Sequence, residues 1–284
     1  MNGMRFTMTN KTVLLSGGTS GVGKATAIGL ARQGAKVVIL SRSGASGRQA
    51  LADIAHATGN DRGEVLVADL SLQSSIREAC TAFKRQHDRL DVLAHLGGAI
   101  YWDKQVTAEG VERMFAVNVL SHFVLTRELT ELLKESRPSR IVTVGGNPRF
   151  LKKPHIDFED IQLLNRFSGM RAATQAMNAR ILLAFEWAKR FEETGAASVA
   201  FHPGWVKSGL TRHSPWYLRM MAPLLNARAS EDCESGVYAA SAMEIDEANG
   251  VFLDDRMKAL PIRDHYDPEA GPALWRICEE LTRA

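Results

Sequence analysis

Thr12-Val13-Leu14-Leu15-Ser16 leads into Gly17-Gly18-Thr19-Ser20-Gly21-Val22-Gly23-Lys24. A helical pattern then runs through Gln33, and Lys36-Val37-Val38-Ile39-Leu40-Ser41-Arg42 follows. The first run is short, apolar and β-branched, as a strand buried on both faces must be. The glycine run turns the chain from that strand into a helix. Gly17, Gly21 and Gly23 permit a tight turn, close approach of backbone to a ligand, and close helix–strand packing. The helix N-terminus then offers free N–H groups and a partial positive charge, which suit a pyrophosphate. A glycine loop by itself says little. Set between a strand and a helix in a βαβ unit, it predicts a dinucleotide site.

The second strand ends at Ser41-Arg42. A carboxylate near this point holds a ribose 2′-OH, whereas an arginine accommodates a 2′-phosphate. Arg42, with Arg48 and Lys24 nearby in sequence, therefore points to NADP(H).

The remaining bounds come from size and composition. A chain of 284 residues, 45% hydrophobic and 24% charged, fits one globular α/β domain with a large core. No composition break, repeat or low-complexity linker divides it. Residues 1–10 read as a loose N-terminal extension without the apolar core of a signal peptide, and 11–284 as the folded domain. A net charge of +3 is too small to argue for nucleic acid. No apolar run is long enough to span a bilayer. Cys80, Cys233 and Cys278 are scattered and odd in number. They fit buried thiols of a cytoplasmic protein better than a disulfide frame, and no His/Cys cluster suggests a metal.

Beyond Arg42, strand and helix patterns keep alternating, which predicts a doubly wound parallel sheet in a three-layer α/β/α arrangement. Helices are expected over Ser46–Thr58, from a Ser71 cap to His87, over Thr107–Lys134, Ser168–Glu193 and Pro268–Thr282. Strands are expected at Glu64–Ala68, Asp91–His95, Arg140–Val144 and Ser198–Phe201, with a last, edge strand at Val251–Leu253.

Five stretches together resemble the short-chain dehydrogenases/reductases, and within them the retinol-dehydrogenase-like branch. These are the Gly17/Gly21/Gly23 loop; Asp69-Leu70; Thr107-Ala108-Glu109-Gly110-Val111-Glu112 through Asn118-Val119-Leu120-Ser121-His122-Phe123; Ile156-Asp157-Phe158-Glu159-Asp160-Ile161-Gln162; and His202-Pro203-Gly204-Trp205-Val206. The resemblance runs from Lys11 to Leu281. It implies a Rossmann-type sheet with NADP(H) across the C-terminal strand ends. The cofactor would lie on Gly17, Thr19, Ser20, Gly21 and Val22, on Ser41 and Arg42, and on Gly97, Pro203 and Gly204. Asp69 and Leu70 would contact its adenine, and Val206 and Ser208 would sit near its nicotinamide amide. Asn118 would organise a helix backbone and a bound water, or simply satisfy buried backbone groups.

The family reduces carbonyls with a Tyr acid, a Lys four residues later and a Ser, because hydride arriving at a carbonyl leaves an alkoxide that needs a proton. Here the fifth strand runs into Gly145-Gly146, where the branch has Ser-Ser. Ungapped counts forward from Asp157-Phe158-Glu159-Asp160 and back from His202-Pro203-Gly204 both place Ala173 at the Tyr position. The Lys position is then Met177. The usual Asn-Asn-Ala-Gly loop reads His95-Leu96-Gly97-Gly98. Tyr101, His155, Arg171 and Tyr217 are the alternative donors at the pocket edge, Tyr101 and Tyr217 foremost. A tyrosine with no adjacent cation titrates near pH 10 and is a slow acid at neutrality. His95 reads as a strand-end histidine satisfied by backbone. Ala173 and Met177 share a helix face and predict a larger, more apolar cavity for an apolar or bulky ligand, under a lid around residues 205–228 that includes Trp205 and Trp216-Tyr217. Three readings stand: a reductase of a substrate needing no enzyme acid, such as an iminium ion or activated enone; a non-redox cyclase, isomerase or dehydratase; and a non-catalytic NADP(H)-binding protein. Whether the chain forms a homo-oligomer is left open.

Overall fold

The computed structural model of the chain describes residues 7–207, 220, 229–245 and 248–283. Strand and helix alternate as expected: β1 (Thr12–Ser16), α1 (Gly21–Arg32), β2 (Lys36–Ser41), α2 (Gly44–Thr58), β3 (Glu64–Val67), α3 (Gln73–Gln86), β4 (Val92–His95), a short α4 (Arg113–Phe115), α5 (Ser121–Glu135), β5 (Ser139–Val144), α6 (Gly169–Arg190), β6 (Ala196–Phe201), α7 (Glu234–Ser241), β7 (Phe252–Leu253), β8 (Ala259–Leu260) and α8 (Ala270–Leu281). The sheet order is β3-β2-β1-β4-β5-β6-β7-β8. All pairings are parallel except β7 with β8. The order reverses at β1, which pairs with β2 on one side and β4 on the other. Such a switch point opens a crevice at the C-terminal strand ends, where ligands of this architecture bind.

Alternate strand residues feed two apolar cores. Leu14, Val38, Leu93 and Ile141 pack with Phe83 of α3, Phe123 of α5 and Phe185 of α6 on one face. Val13, Leu15, Ile39 and Val142 pack with Leu30 of α1, Ile54 of α2 and Ala239 of α7 on the other. Both faces of the sheet are thus covered, the three-layer arrangement read from the alternation. Among the described residues no helix is long and apolar enough to cross a membrane.

Several local expectations are corrected. The helix expected from Thr107 starts at Arg113. Gly110, at φ +76°, closes a turn in which Thr107 N–H donates to Val111 O at 2.8 Å, and Val106 bridges Glu112 in antiparallel fashion. The buried Glu112 carboxylate then caps the new helix by accepting from Met114 and Phe115 N–H at 2.9 and 2.8 Å. Ser71 does not cap α3, since its hydroxyl and N–H donate to Asp69 instead. The Glu109 carboxylate serves α3 from a distance, accepting from Gln73 and Ser74 N–H at 2.6 and 3.0 Å. The β7 strand is not an edge, because β8 pairs beyond it. The helix α7 was not anticipated. Residues 7–10 are not loose: Met8 is buried and donates its N–H to Gln33 O at 2.8 Å.

Candidate active site

Gly17, at φ +81°, stands in a backbone region open to glycine. A Cβ there would overlap the Cα of Gly97 and come within 2.9 Å of the Leu96 carbonyl carbon. A Cβ on Gly23 would overlap the carbonyl oxygen of Gly17. The loops after β1 and β4 therefore touch backbone to backbone, and the first turn of α1 sits directly on the strand end. Ser20 precedes α1 in extended conformation, makes no capping bond, and no acidic residue stands in the first turn. The hydroxyls of Thr19 and Ser20 bond to no protein group among the described residues. Gly21 and Val22 open the helix, so their N–H groups point outward unsatisfied. Donors, dipole and the close approach allowed by glycine fit a pyrophosphate.

At the end of β2, the Ser41 hydroxyl donates to Ser43 O at 2.9 Å, and Ser43 caps α2. Arg42 is exposed and has no partner among the described residues. Arg48 is also exposed, its Nη1 3.1 Å from where a Gly44 Cβ would lie. Lys24, expected to join them, is instead ion-paired with Asp53. Asp69 fixes its loop through Oδ1, and among the described residues Oδ2 makes no bond. Leu70 rests on Gly97, its Cδ1 3.2 Å from a Cβ placed there.

Across the switch point, Asn118 lies in a wide π turn, Ala116–Leu120, between α4 and α5. Its amide donates to Ala99 O at 2.8 Å and Met114 O at 2.9 Å, and its Oδ1 accepts from Ala99 N–H at 3.1 Å. Of the two roles open to it, the side chain fills the backbone one, pinning the Gly97-Gly98-Ala99 loop. His95 is not satisfied by backbone. Its Nε2 meets Thr126 Oγ1 at 2.8 Å, Nδ1 is buried without a partner, and the ring stacks on His122 at 4.4 Å and 13°. Burial pushes His95 down to about 3 and His122 well below the usual histidine range, so both are neutral.

The α6 face continues this region. A Cβ at Gly146 would overlap the sulfur of Met177 and lie 3.0 Å from its Cε. The space expected to be vacant here is thus partly taken by Met177, because a residue without a side chain lets the thioether in. Ala173 and Met177 both pack against the core. One turn beyond, Arg180 carries its Nη1 to 3.2 Å from where a Gly98 Cβ would lie.

The other anticipated donors are spread out. Tyr101 is buried, with the Arg113 guanidinium 4.7 Å from its ring centre. Arg171 pairs with Asp157 at 3.0 Å, and His155 is an exposed loop residue. Of the lid expected around 205–228, residues 208–219 and 221–228, Ser208 and Tyr217 among them, lie outside the described residues. Before it, His202 N–H donates to Leu253 O at 2.8 Å, Pro203 leads to Gly204 at φ +71°, and Val206 bridges Ser230. Trp205 is 62% exposed. The three thiols are free and buried, and no metal-type cluster occurs among the described residues.

Sequence reading passed over His122 as a site neighbour and Arg180 altogether. Arg180 was detectable: it follows Ala173 by seven residues and Met177 by three, the spacing of one helix face.

Comparison with known proteins agrees with this geometry. Residues 11–155 match the short chain dehydrogenase family model. Human retinol dehydrogenase 12 is 33% identical over 276 residues, covering 95% of this chain and 86% of that one. The chain belongs to the short chain dehydrogenase family, whose members use NAD(P)(H), and has retinol-dehydrogenase-like homologues. An uncharacterised protein of Mycobacterium paratuberculosis has a similar structure, with TM-score 0.74 and 28% identity over 98% of this chain and 95% of that one. RhlG of Pseudomonas aeruginosa, solved with NADP in its active site, shares the fold at TM-score 0.68 and 22% identity, over 88% of this chain and 96% of that one.

Proposed function

We propose that the protein is an NADP(H)-dependent oxidoreductase that reduces an activated, apolar small molecule without the tyrosine–lysine proton relay of its family. The observation that carries this reading is the seating of Met177 against Gly146. If Gly146, Ala173 and Met177 stand at the family's Ser, Tyr and Lys positions, two of the three replacements fit each other sterically, as a remodelled site requires. Such a site favours substrates that take hydride without leaving a bare alkoxide. Bound nicotinamide supplies the hydride; the chain's own part is to hold, orient and exclude water.

The unpartnered Arg42 and Arg48 at the end of β2, and the uncapped start of α1, support NADP(H) over NAD(H). Tyr101 and Tyr217 remain the side chains through which a proton could be supplied, and Asn118 positions the loop beneath the nicotinamide. The buried thiols favour a cytoplasmic setting.

Consumption of NADPH with a panel of iminium ions and activated enones, set against simple ketones, aldehydes and retinol, tests the proposal. Turnover is expected with the first group and not the second. Turnover of simple ketones at about 1 s⁻¹ or more would show that an enzyme acid is present.

A further inference from the structure

A buried cation needs either an anion or a full set of hydrogen bonds, because removing it from water is costly. Arg180, half-buried, has neither among the described residues. Its Nε is sealed from solvent with no partner. Its other two nitrogens bond to no protein group among the described residues. Burial pushes the guanidinium down to about 10, which still leaves it charged at neutral pH.

Among the described residues no carboxylate pairs with it, and burial alone shifts its pKa. His95 and His122 are buried and neutral, and Asn118 has committed its side chain to Ala99 and Met114. The absence of a side chain at Gly98 is what admits Nη1. The arginine shares the α6 face of Ala173 and Met177, both partly buried and packed against the core.

We propose that Arg180 is the anion-binding group of the substrate site, and that the ligand is an apolar molecule bearing a carboxylate. A planar guanidinium matches a carboxylate through two parallel hydrogen bonds, and the Ala173–Met177 surface suits a hydrocarbon body. The cofactor's own anions have other places. Its pyrophosphate fits the α1 N-terminus after β1, and its 2′-phosphate fits Arg42 after β2. Arg180 stands instead beside Gly98, in the loop after β4. The inference rests on the reading of this cleft as an NADP(H)-dependent active site.

The test compares phenylbutyrate with phenylbutanol, and decanoate with decanol, by thermal stabilisation and calorimetry, with and without NADPH. Each acid is expected to bind about tenfold or more tightly than its alcohol, the effect of one charge-assisted pair. Arg180→Gln should abolish the preference, Arg180→Lys should restore part of it, and NADPH affinity should stay within about threefold in both, since neither phosphate site is touched. Arg180→Met should raise the melting temperature of the ligand-free protein, because an unpartnered buried charge is removed. Equal binding of acid and alcohol, or a preference that survives Arg180→Gln, overturns the inference. So does a fall in melting temperature for Arg180→Met with Arg180→Gln, which would show the guanidinium satisfied within the fold. A tenfold loss of NADPH affinity in Arg180→Gln would assign the group to the cofactor and overturn the substrate assignment. Failure of the wild-type protein to bind NADPH at all would sink the functional reading instead, and the acid-over-alcohol comparison without cofactor distinguishes the two.

Discussion

The turn from β1 into α1 and the corner formed by the end of β4, the π turn and α6 meet where Gly17 touches Gly97, yet they are built differently. The first is made of backbone. Gly17 and Gly23 bring main chain against main chain, and the donors are N–H groups at a helix start. The second is made of side chains from distant positions: Met177 against Gly146, His95 on His122, Asn118 under Ala99, Arg180 beside Gly98. A backbone site tolerates nothing but glycine at its contacts and serves one invariant ligand group. A side-chain site can be rebuilt by a few paired replacements while the scaffold stays as it is. The contrast locates whatever is unusual in this protein at the second corner.

The sharpest break of that comparison is at Gly17. Gly17→Ala would force a Cβ into the Gly97 backbone at a φ of +81°. Strain of about 1–3 kcal/mol and a displaced loop should reduce NADPH affinity by at least about tenfold, as read by calorimetric titration. Unchanged affinity would mean that the β1 turn does not hold the cofactor.

Gly146→Ser probes the other corner. A Cβ at this position would overlap the Met177 sulfur. Overpacking should cost about 1–3 kcal/mol, and Met177→Ala in the same chain should recover most of it, a coupling that a double-mutant cycle in urea reads directly. Additive effects would show that the two positions did not change together.

Arg42→Ala should remove a charge-assisted contact to the 2′-phosphate. A loss of about tenfold or more in NADPH affinity is expected, with NADH affinity unaffected. Equal losses for both cofactors would place the arginine elsewhere on the nucleotide.

Acid titration separates the corners by another route. His95 and His122 are held neutral by burial, whereas in the unfolded chain they take up protons near pH 6.5. The unfolded state therefore binds more protons as pH falls below about 6.5, and stability falls with it, down toward the folded value of about 3 for His95. Each histidine contributes up to about 1.4 kcal/mol per pH unit in that window. Unfolding midpoints between neutrality and pH ~5 should fall less steeply in His95→Gln than in the wild type. A slope identical to the wild type's would show that His95 is protonated within the fold.

The smallest effect is expected at Glu109, far from either corner. Glu109→Gln weakens the cap on α3 by about 1 kcal/mol or less, measurable by denaturant unfolding. Burial opposes the charge on Glu109, but the Ser74 and Gln73 N–H bonds outweigh it and lower its pKa. The carboxylate's contribution is accordingly present above the ordinary glutamate range and lost as pH falls through the folded value, and Glu109→Gln should be insensitive to that change.

The amino-acid sequence by itself determined the architecture and the glycine turn after β1. The alternation of strands and helices, the glycine spacing after β1 and the arginine after β2 are local signals, because backbone conformation and strand burial are set by residues adjacent in the chain. Local signals also misled. Thr107 looked like a helix start, yet Gly110 turns the chain back and sends Glu109 to cap a helix that precedes it in sequence. Ser71 looked like a cap, yet Asp69 takes both its donors. Ala173 and Met177 fall four residues apart, on one helix face, and their apolar character suggested an open cavity. Only the tertiary structure showed the thioether lying against Gly146, 31 residues earlier by number. The histidine stack was beyond reach for the same reason; helix spacing puts Arg180 on the Ala173–Met177 face, but does not show that it lacks a protein partner among the described residues. What a buried polar group bonds to, and whether it bonds at all, depends on side chains that the fold brings together from β4, α5 and α6, and no stretch of sequence contains that information.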